Sequence, residues 1–130
     1  MGQPAAKQGD QITAIDTHII LIPSPGGPVP TPLPHPFSGI INSNLSSNVT
    51  IMGMAAAMQG STADNLPPHI PQGGSFQTPP SNRGQIMTGS ATVMINGKPA
   101  ARNGDTAQTC NDPVDQPVGT VIAVGTVLIG

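Results

Sequence analysis

A seven-residue stretch occurs three times in this 130-residue chain, and each time a single residue separates it from a preceding glycine. Two copies are clear, residues 4–10 (PAAKQGD) and 99–105 (PAARNGD), and residues 55–61 (AAAMQGS) form a degenerate third copy. Short apolar runs precede two of the glycines, and a third run, residues 126–129, lies at the C-terminal end. The chain is therefore organised as three repeats of strand, glycine and turn, one of them divided between the two ends.

This repeat pattern predicts a closed all-β ring. A unit made of one short strand and a turn cannot bury its apolar face alone and must pack against its copies. If the divided repeat is rejoined by the two chain ends, three copies close on themselves and leave few exposed strand edges. We expect one domain over residues 1–130, with approximate three-fold symmetry and adjacent termini.

The composition indicates that such a domain needs support beyond an apolar core. Glycine and proline contribute 16 residues each, and Phe37 and Phe76 are the only aromatic residues. Small domains with so little apolar volume usually depend on disulfides, a metal or a partner surface. A disulfide within the chain is excluded because Cys110 is its only cysteine. Four basic residues and two aromatics also make nucleic-acid binding an unfavourable hypothesis.

Local patterns predict the individual elements. Residues 11–22 are rich in isoleucine and predict a strand. Residues 23–36 carry seven prolines and predict an extended polyproline-like loop rather than a paired strand. Residues 54–58 have helical propensity, but the repeat alignment favours the same turn as in the other copies. Further strands are predicted at 37–41, 49–52, 85–88, 91–95, 118–124 and 126–129, with loops at 61–68 and 72–82.

Three histidines and the single cysteine predict a metal site. His18 follows the end of its seven-residue copy by eight residues, His69 follows its copy by eight and Cys110 by five. Related positions in a three-fold body can converge on its axis, and His35 from the proline-rich segment would supply a fourth donor. Three imidazoles and one thiolate suit a closed, structural Zn²⁺ site, for which iron is the less favoured alternative. No catalytic residue is predicted, because four protein donors leave no position for water and the chain has no glutamate.

The seven-residue copies, the run from Thr92 to Gly97 and the divided repeat resemble the PAAR family, named for its proline-alanine-alanine-arginine motif. The resemblance implies a small conical β-prism with a metal held by histidines and a cysteine at its tip. It also implies a structural role, in which the protein sharpens the spike of a contractile injection machine that pierces target membranes. The expected partner at the broad base is a trimeric valine–glycine-repeat (VgrG) or phage-spike-type protein, with effectors or baseplate components as further partners.

The N-terminus lacks the charged-then-apolar pattern of a signal peptide. We therefore expect synthesis in the cytoplasm, assembly at the spike tip, and delivery outside the cell or into a target cell. The machine is either a type VI secretion system or an extracellular phage-tail-like particle. The alternative functions are a small zinc metalloenzyme, a zinc-stabilised effector adaptor, and a largely disordered proline- and glycine-rich adaptor that folds only on binding.

Overall fold

The computed structural model describes residues 2–130, which form thirteen β-strands. The all-β prediction is confirmed, and none of these residues lies in a helix. In chain order the strands are β1 (Gln3–Pro4), β2 (Gln11–Ile22), β3 (Val29–Ser43), β4 (Thr50–Ile51), β5 (Met54–Ala55), β6 (Thr62–Asn65), β7 (Ser75–Phe76), β8 (Arg83–Ile86), β9 (Met94–Ile95), β10 (Lys98–Pro99), β11 (Thr106–Thr109), β12 (Gln116–Ile122) and β13 (Leu128–Ile129).

Six of the strands close into an antiparallel barrel in the order β2, β3, β6, β8, β11 and β12. The barrel closes because β12 pairs with β2 as well as with β11. Each repeat contributes two antiparallel barrel strands: an outgoing strand, which directly follows the seven-residue copy, and a returning strand, which pairs with it and leads back along the barrel. The three pairs are β2 with β3, β6 with β8, and β11 with β12.

In the part of the chain that the structure describes, there is no helix that could span a membrane.

A triangle of backbone hydrogen bonds joins the three repeats. Ala6 N donates to Ala101 O at 2.9 Å, Ala57 N to Ala6 O at 3.0 Å, and Ala101 N to Ala57 O at 3.1 Å. All three alanine side chains are fully buried, because three copies meet here and only a methyl group fits. The alanine at the third position of each copy is thereby explained, and the predicted three-fold arrangement is observed.

The last residue of each copy closes its turn. Asp105 accepts a hydrogen bond from Arg102 N at 2.7 Å and pairs with the guanidinium of the same arginine, and Asp10 makes the equivalent contacts in the first copy. In the degenerate copy, the hydroxyl of Ser61 accepts from Met58 N at 3.0 Å. The middle repeat therefore keeps the turn hydrogen bond and lacks only the ion pair.

Three two-stranded sheets form one end of the molecule, here called the base. They are β1 with β13, β4 with β5, and β9 with β10, and their buried core contains Ile51, Ile95 and Ile129. The first of these sheets joins the chain ends, with Gln3 paired to Ile129. The divided repeat is thus completed by pairing of the two termini, as the sequence predicts.

The prediction of an unpaired loop at residues 23–36 is wrong. Strand β3 includes most of this segment and pairs with β2 along the whole length of β2, from Gln11↔Ile40 to Ile22↔Val29. The prolines of β3 occupy alternate positions (30, 32, 34 and 36), so their nitrogens all face the same side. That side is the one opposite β2, as the neighbouring donors show: Ile41 N bonds to Asp10 O, whereas Ser38 N bonds to Asn65 Oδ1 across the strand. An edge that needs no donors tolerates proline.

Other predicted elements hold in part. Strand β2 has the predicted bounds. Residues 54–58 are not helical, but they form strand β5 and two β-bridges, and the turn itself lies at residues 59–60. Strand β6 lies where a loop was predicted and β11 where no strand was predicted, because their polar sequences are placed between neighbours that supply partners on both sides. Strand β9 is confined to Met94–Ile95, shorter than the predicted 91–95.

A layer of glycines in the barrel makes room for Phe37. Gly39, Gly84 and Gly119 occupy equivalent positions on the three returning strands. A Cβ added to Gly39 would lie 2.8 Å from the Phe37 ring, and one added to Gly84 would lie 3.2 Å from it. The ring therefore fills the barrel directly below the histidine cluster described next.

Replacing Ser61 with alanine should destabilise the protein. The hydroxyl is fully buried, accepts from Met58 N and donates to Asn44 O at 2.8 Å, so its loss leaves these two backbone groups without their side-chain partner. We expect the free energy of unfolding in urea to fall by about 1–3 kcal/mol. The exposed Ser47→Ala variant should change it by less than about 0.5 kcal/mol. Equal stability of the two variants would contradict this account of the turn.

Candidate metal centre

The histidine cluster begins with the alternation of strands β2 and β3. Side chains on successive residues of a strand point to opposite faces, so Asp16 and His18 of β2 face the barrel interior together. On β3, His35 and Phe37 face the same interior. Asp16, His18 and His35 are 0%, 1% and 3% exposed.

The other two predicted ligands come from the second and third repeats. His69 lies in the loop after β6, where its backbone N donates to Asn82 Oδ1 at 2.8 Å. Cys110 follows β11 and is buried. The ring of His69 lies 4.9 Å from that of His18 and 5.4 Å from that of His35, measured between centroids. The structure thus brings all four predicted residues together.

One distance in the cluster can be compared directly with metal geometry. Cys110 Sγ and His18 Nε2 are 3.6 Å apart. In a tetrahedral site with Zn–S near 2.3 Å and Zn–N near 2.0–2.1 Å, the sulfur and nitrogen are also about 3.6 Å apart. These two donors are therefore spaced as ligands of one ion would be.

Sequence reasoning missed Asp16. Ligand atoms of Asp16, His18, His69 and Cys110 all lie within 4.8 Å of one another, so this buried group could hold a metal. This group shares His18, His69 and Cys110 with the predicted ligand set, but it contains Asp16 instead of His35. The signal was present, because Asp16 precedes His18 by two residues and a strand places both on one face.

His35 offers a nitrogen lone pair in a buried position. Its Nδ1 lies 2.9 Å from Leu33 O, and since a carbonyl only accepts, Nδ1 carries the hydrogen. The other nitrogen, Nε2, is then an acceptor, and it has no hydrogen-bond partner although it is buried. Metal-binding histidines typically donate their second N–H to a carbonyl or carboxylate in this way. The donor set therefore fits a metal ion.

His18 and His69 differ in how their Nδ1 atoms are placed. His18 Nδ1 faces Asp112 Oδ2 at 3.5 Å but is buried without a hydrogen-bond partner. His69 Nδ1 accepts from the amide of Asn65 at 3.2 Å, so the hydrogen of the neutral ring is on Nε2, which lies 2.8 Å from Asp16 Oδ2. Hydrogen bonds thus hold the rings of His35 and His69.

Burial disfavours the charged forms of Cys110 and His18 when no metal is bound. Burial, followed by the nearby Asp16 carboxylate, raises the pKa of Cys110 to about 12, so the thiol keeps its proton at neutral pH. Burial also lowers the pKa of His18, an effect that Asp112 partly opposes. A bound cation would instead favour the thiolate form of Cys110, because a coordinating thiol is deprotonated.

The two phenylalanines enclose the cluster from both sides. Phe37 lies 6.1 Å from the ring of His69, and Phe76 of β7 lies 5.9 Å from the ring of His18 and 5.8 Å from that of His35. A cavity of about 250 Å³ reaches His35 and His69, and another of about 170 Å³ reaches His18 and Cys110. These cavities are the routes by which an ion could enter.

Fold and cluster together define a small pseudo-three-fold β-barrel with a buried group of metal-binding side chains. Residues 76–130 match the family model described as the PAAR motif. The match confirms the resemblance to the PAAR family and indicates a role at the spike tip of a contractile injection machine. The matched region contains Cys110 and the third copy of the repeat. The chain matches no curated protein.

The metal-free protein should lose stability in alkaline solution. Above the ordinary thiol pKa of 9.0, the unfolded chain releases the Cys110 proton whereas the folded chain retains it up to about pH 12. The free energy of unfolding should therefore fall above pH 9, with a limiting slope of about 1.4 kcal/mol per pH unit. Urea unfolding in the presence of a chelator measures this. Cys110→Ser has no thiol to titrate and should show a smaller decline, and an identical decline in both proteins would refute the assignment.

Proposed function

We propose that this protein is a structural spike-tip component that caps the trimeric spike of a contractile injection machine. The observation that carries the proposal is the base, whose three equivalent sheets repeat around the triangle of Ala6, Ala57 and Ala101. A single chain with three internal copies presents a surface that a three-fold partner can match. The PAAR motif match supports the same role.

The base has the surface chemistry of a docking face. Met94 and Leu128 occupy equivalent positions on two of its sheets and are 59% and 61% exposed. Met54 on the third sheet is also exposed. Exposed apolar side chains clustered at one end of a small protein mark an interaction site more often than an ordinary surface. We propose that the trimeric VgrG or phage-spike-type protein covers this face by apolar and backbone contacts.

The base and the histidine cluster lie at opposite ends of the barrel. Strand β1 and the first seven-residue copy precede β2, whereas Asp16 and His18 lie five and seven residues after its first residue, Gln11. At about 3.3 Å per residue, His18 is about 23 Å along the strand from Gln11. Docking through the base would therefore leave the cluster pointing away from the spike.

We further propose that His18, His35, His69 and Cys110 hold a structural Zn²⁺ ion, with iron the less favoured metal. The orphaned Nε2 of His35 and the spacing of His18 from Cys110 support this ligand set. Four protein donors fill the tetrahedral positions, whereas a catalytic zinc keeps one position for water. The ion's contribution would be rigidity where the barrel has little apolar core. We therefore propose a structural rather than an enzymatic role.

Charge placed on the base should abolish spike binding. Met94→Asp and Leu128→Asp put a carboxylate into a contact that is proposed to be apolar, so neither variant should co-purify with a trimeric VgrG-type protein from the same organism. Ile70→Asp is the matched control, because Ile70 is 65% exposed but lies beside the histidine cluster. The proposal fails if the base variants bind as the wild type does, or if only the control loses binding.

Metal removal should lower the melting temperature of the wild type. With free zinc at 100 times the dissociation constant, binding to the folded state stabilises it by about 2.7 kcal/mol, and a chelator removes this contribution. Cys110→Ser should bind less zinc, melt at a lower temperature and respond little to the chelator. A wild type that releases its metal without any change in melting temperature would argue against a structural ion.

A further inference from the structure

Asp16 is a buried carboxylate to which the proposed ligand set gives no role. Its side chain is 0% exposed. One oxygen, Oδ2, lies 2.8 Å from His69 Nε2 and 3.4 Å from Cys110 Sγ. The carboxylate therefore contacts two of the four proposed ligands through a single atom.

The other oxygen fixes the segment that carries the thiol. Oδ1 accepts from Thr109 Oγ1 at 2.5 Å and from Asn111 Nδ2 at 3.4 Å. Thr109 and Asn111 are the residues on either side of Cys110. The Asn111 side chain is held in turn, because its Oδ1 accepts from Thr17 N at 2.6 Å. Asp16 thus clamps both neighbours of Cys110 against strand β2.

The geometry separates Asp16 from the ligands themselves. Two nitrogen or oxygen ligands of one tetrahedral zinc lie about 3.4 Å apart, given bond lengths of about 2.0–2.2 Å. Asp16 Oδ2 is 2.8 Å from His69 Nε2, a hydrogen-bond distance, and in the metal-free protein Nε2 donates its hydrogen here. An ion bound to Nε2 would replace that hydrogen, whereas the contacts of Oδ1 would remain. Asp16 therefore has the position of a partner of the ligands.

Charge supplies a second reason for a carboxylate here. Zn²⁺ with one thiolate and three neutral imidazoles carries a net charge of +1, and an uncompensated buried charge is costly. Asp16 would cancel this charge from a fully buried position. The other nearby carboxylate, Asp112, borders the cavity of about 170 Å³ at the edge of the cluster. Its Oδ2 accepts from Ile19 N at 2.8 Å and lies 3.5 Å from Nδ1 of His18.

We infer that Asp16 is a positioning and charge-balancing residue of the metal centre: through Thr109 and Asn111 it holds Cys110 in place, and it neutralises the loaded site without binding the ion. This inference rests on the proposed metal site. It adds to that site an outer carboxylate that was not among the predicted residues.

The test compares zinc affinity and the Co²⁺ absorption spectrum of the wild type with those of Asp16→Asn. Asparagine keeps the shape of the side chain and removes its charge. We expect zinc affinity to fall about 10- to 100-fold, as is typical when an outer partner of a metal ligand is lost. The Co²⁺ bands should keep their positions, because the four ligands are unchanged. Asp64→Asn makes the same chemical change at an exposed site and should behave as the wild type does.

Three outcomes would overturn the inference or the site beneath it. Unchanged zinc affinity in Asp16→Asn would refute a role for Asp16, and shifted Co²⁺ bands would show that Asp16 binds the ion directly. A wild type that takes up no zinc would instead refute the metal site itself. If Asp16→Asn does not fold, Thr109→Val removes one hydrogen bond to Oδ1 and keeps the charge. It should lower zinc affinity by a smaller factor, and wild-type affinity in that variant would refute the clamp.

Discussion

The closed triangle of backbone hydrogen bonds among Ala6, Ala57 and Ala101 is the constraint on which the remaining structure depends. Each bond links a different pair of repeats, so the ring closes only when all three copies are in register. The turn that follows each of these alanines and the start of the next barrel strand are fixed relative to this ring. The two ends of the chain must also pair, because one of the three repeats is shared between them.

The barrel has a small apolar core, and only part of its length along the axis is filled by apolar side chains. Ile12, Ile41, Ile86 and Val121 fill the layer next to the alanine ring, and Phe37 fills the layer of glycines above it. Beyond Phe37 the interior is polar, with Asp16, His18 and His35 facing one another. Polar groups in such a position destabilise a fold unless each has a partner. Hydrogen bonds satisfy most of them here, and the exceptions are Nδ1 of His18 and Nε2 of His35, of which the second offers a lone pair to a cation.

Repeats and ligand types could be predicted from the sequence because both depend on residues at recognisable spacings. The seven-residue copies predict the closed ring of three repeats, and the three histidines with Cys110 predict that these side chains lie together. The paired proline strand could not be predicted by composition, since what matters is which side of the strand the prolines face. Strands β6 and β11 were missed because their polar sequences, such as that of Thr62–Asn65, are strands only in the presence of both neighbours. Asp16 was missed because neither its residue type nor its position in the repeat distinguishes it from the other aspartates. Only the two-residue alternation of strand β2 places it on the same face as His18.

The three repeats are equal where they meet the base and unequal where they meet the cluster. The alanine ring and the turns repeat closely, and even the degenerate copy keeps its turn through Ser61. At the cluster, the first repeat supplies His18, His35 and Asp16, whereas the second supplies His69 and the third Cys110. A partner with three-fold symmetry requires equivalence only at the surface it touches. The proposed tetrahedral ion needs four donors, whereas three identical repeats with one donor each would supply three; in the proposed set the long first hairpin holds two, His18 and His35. The same chain can therefore be symmetric at one end and asymmetric at the other.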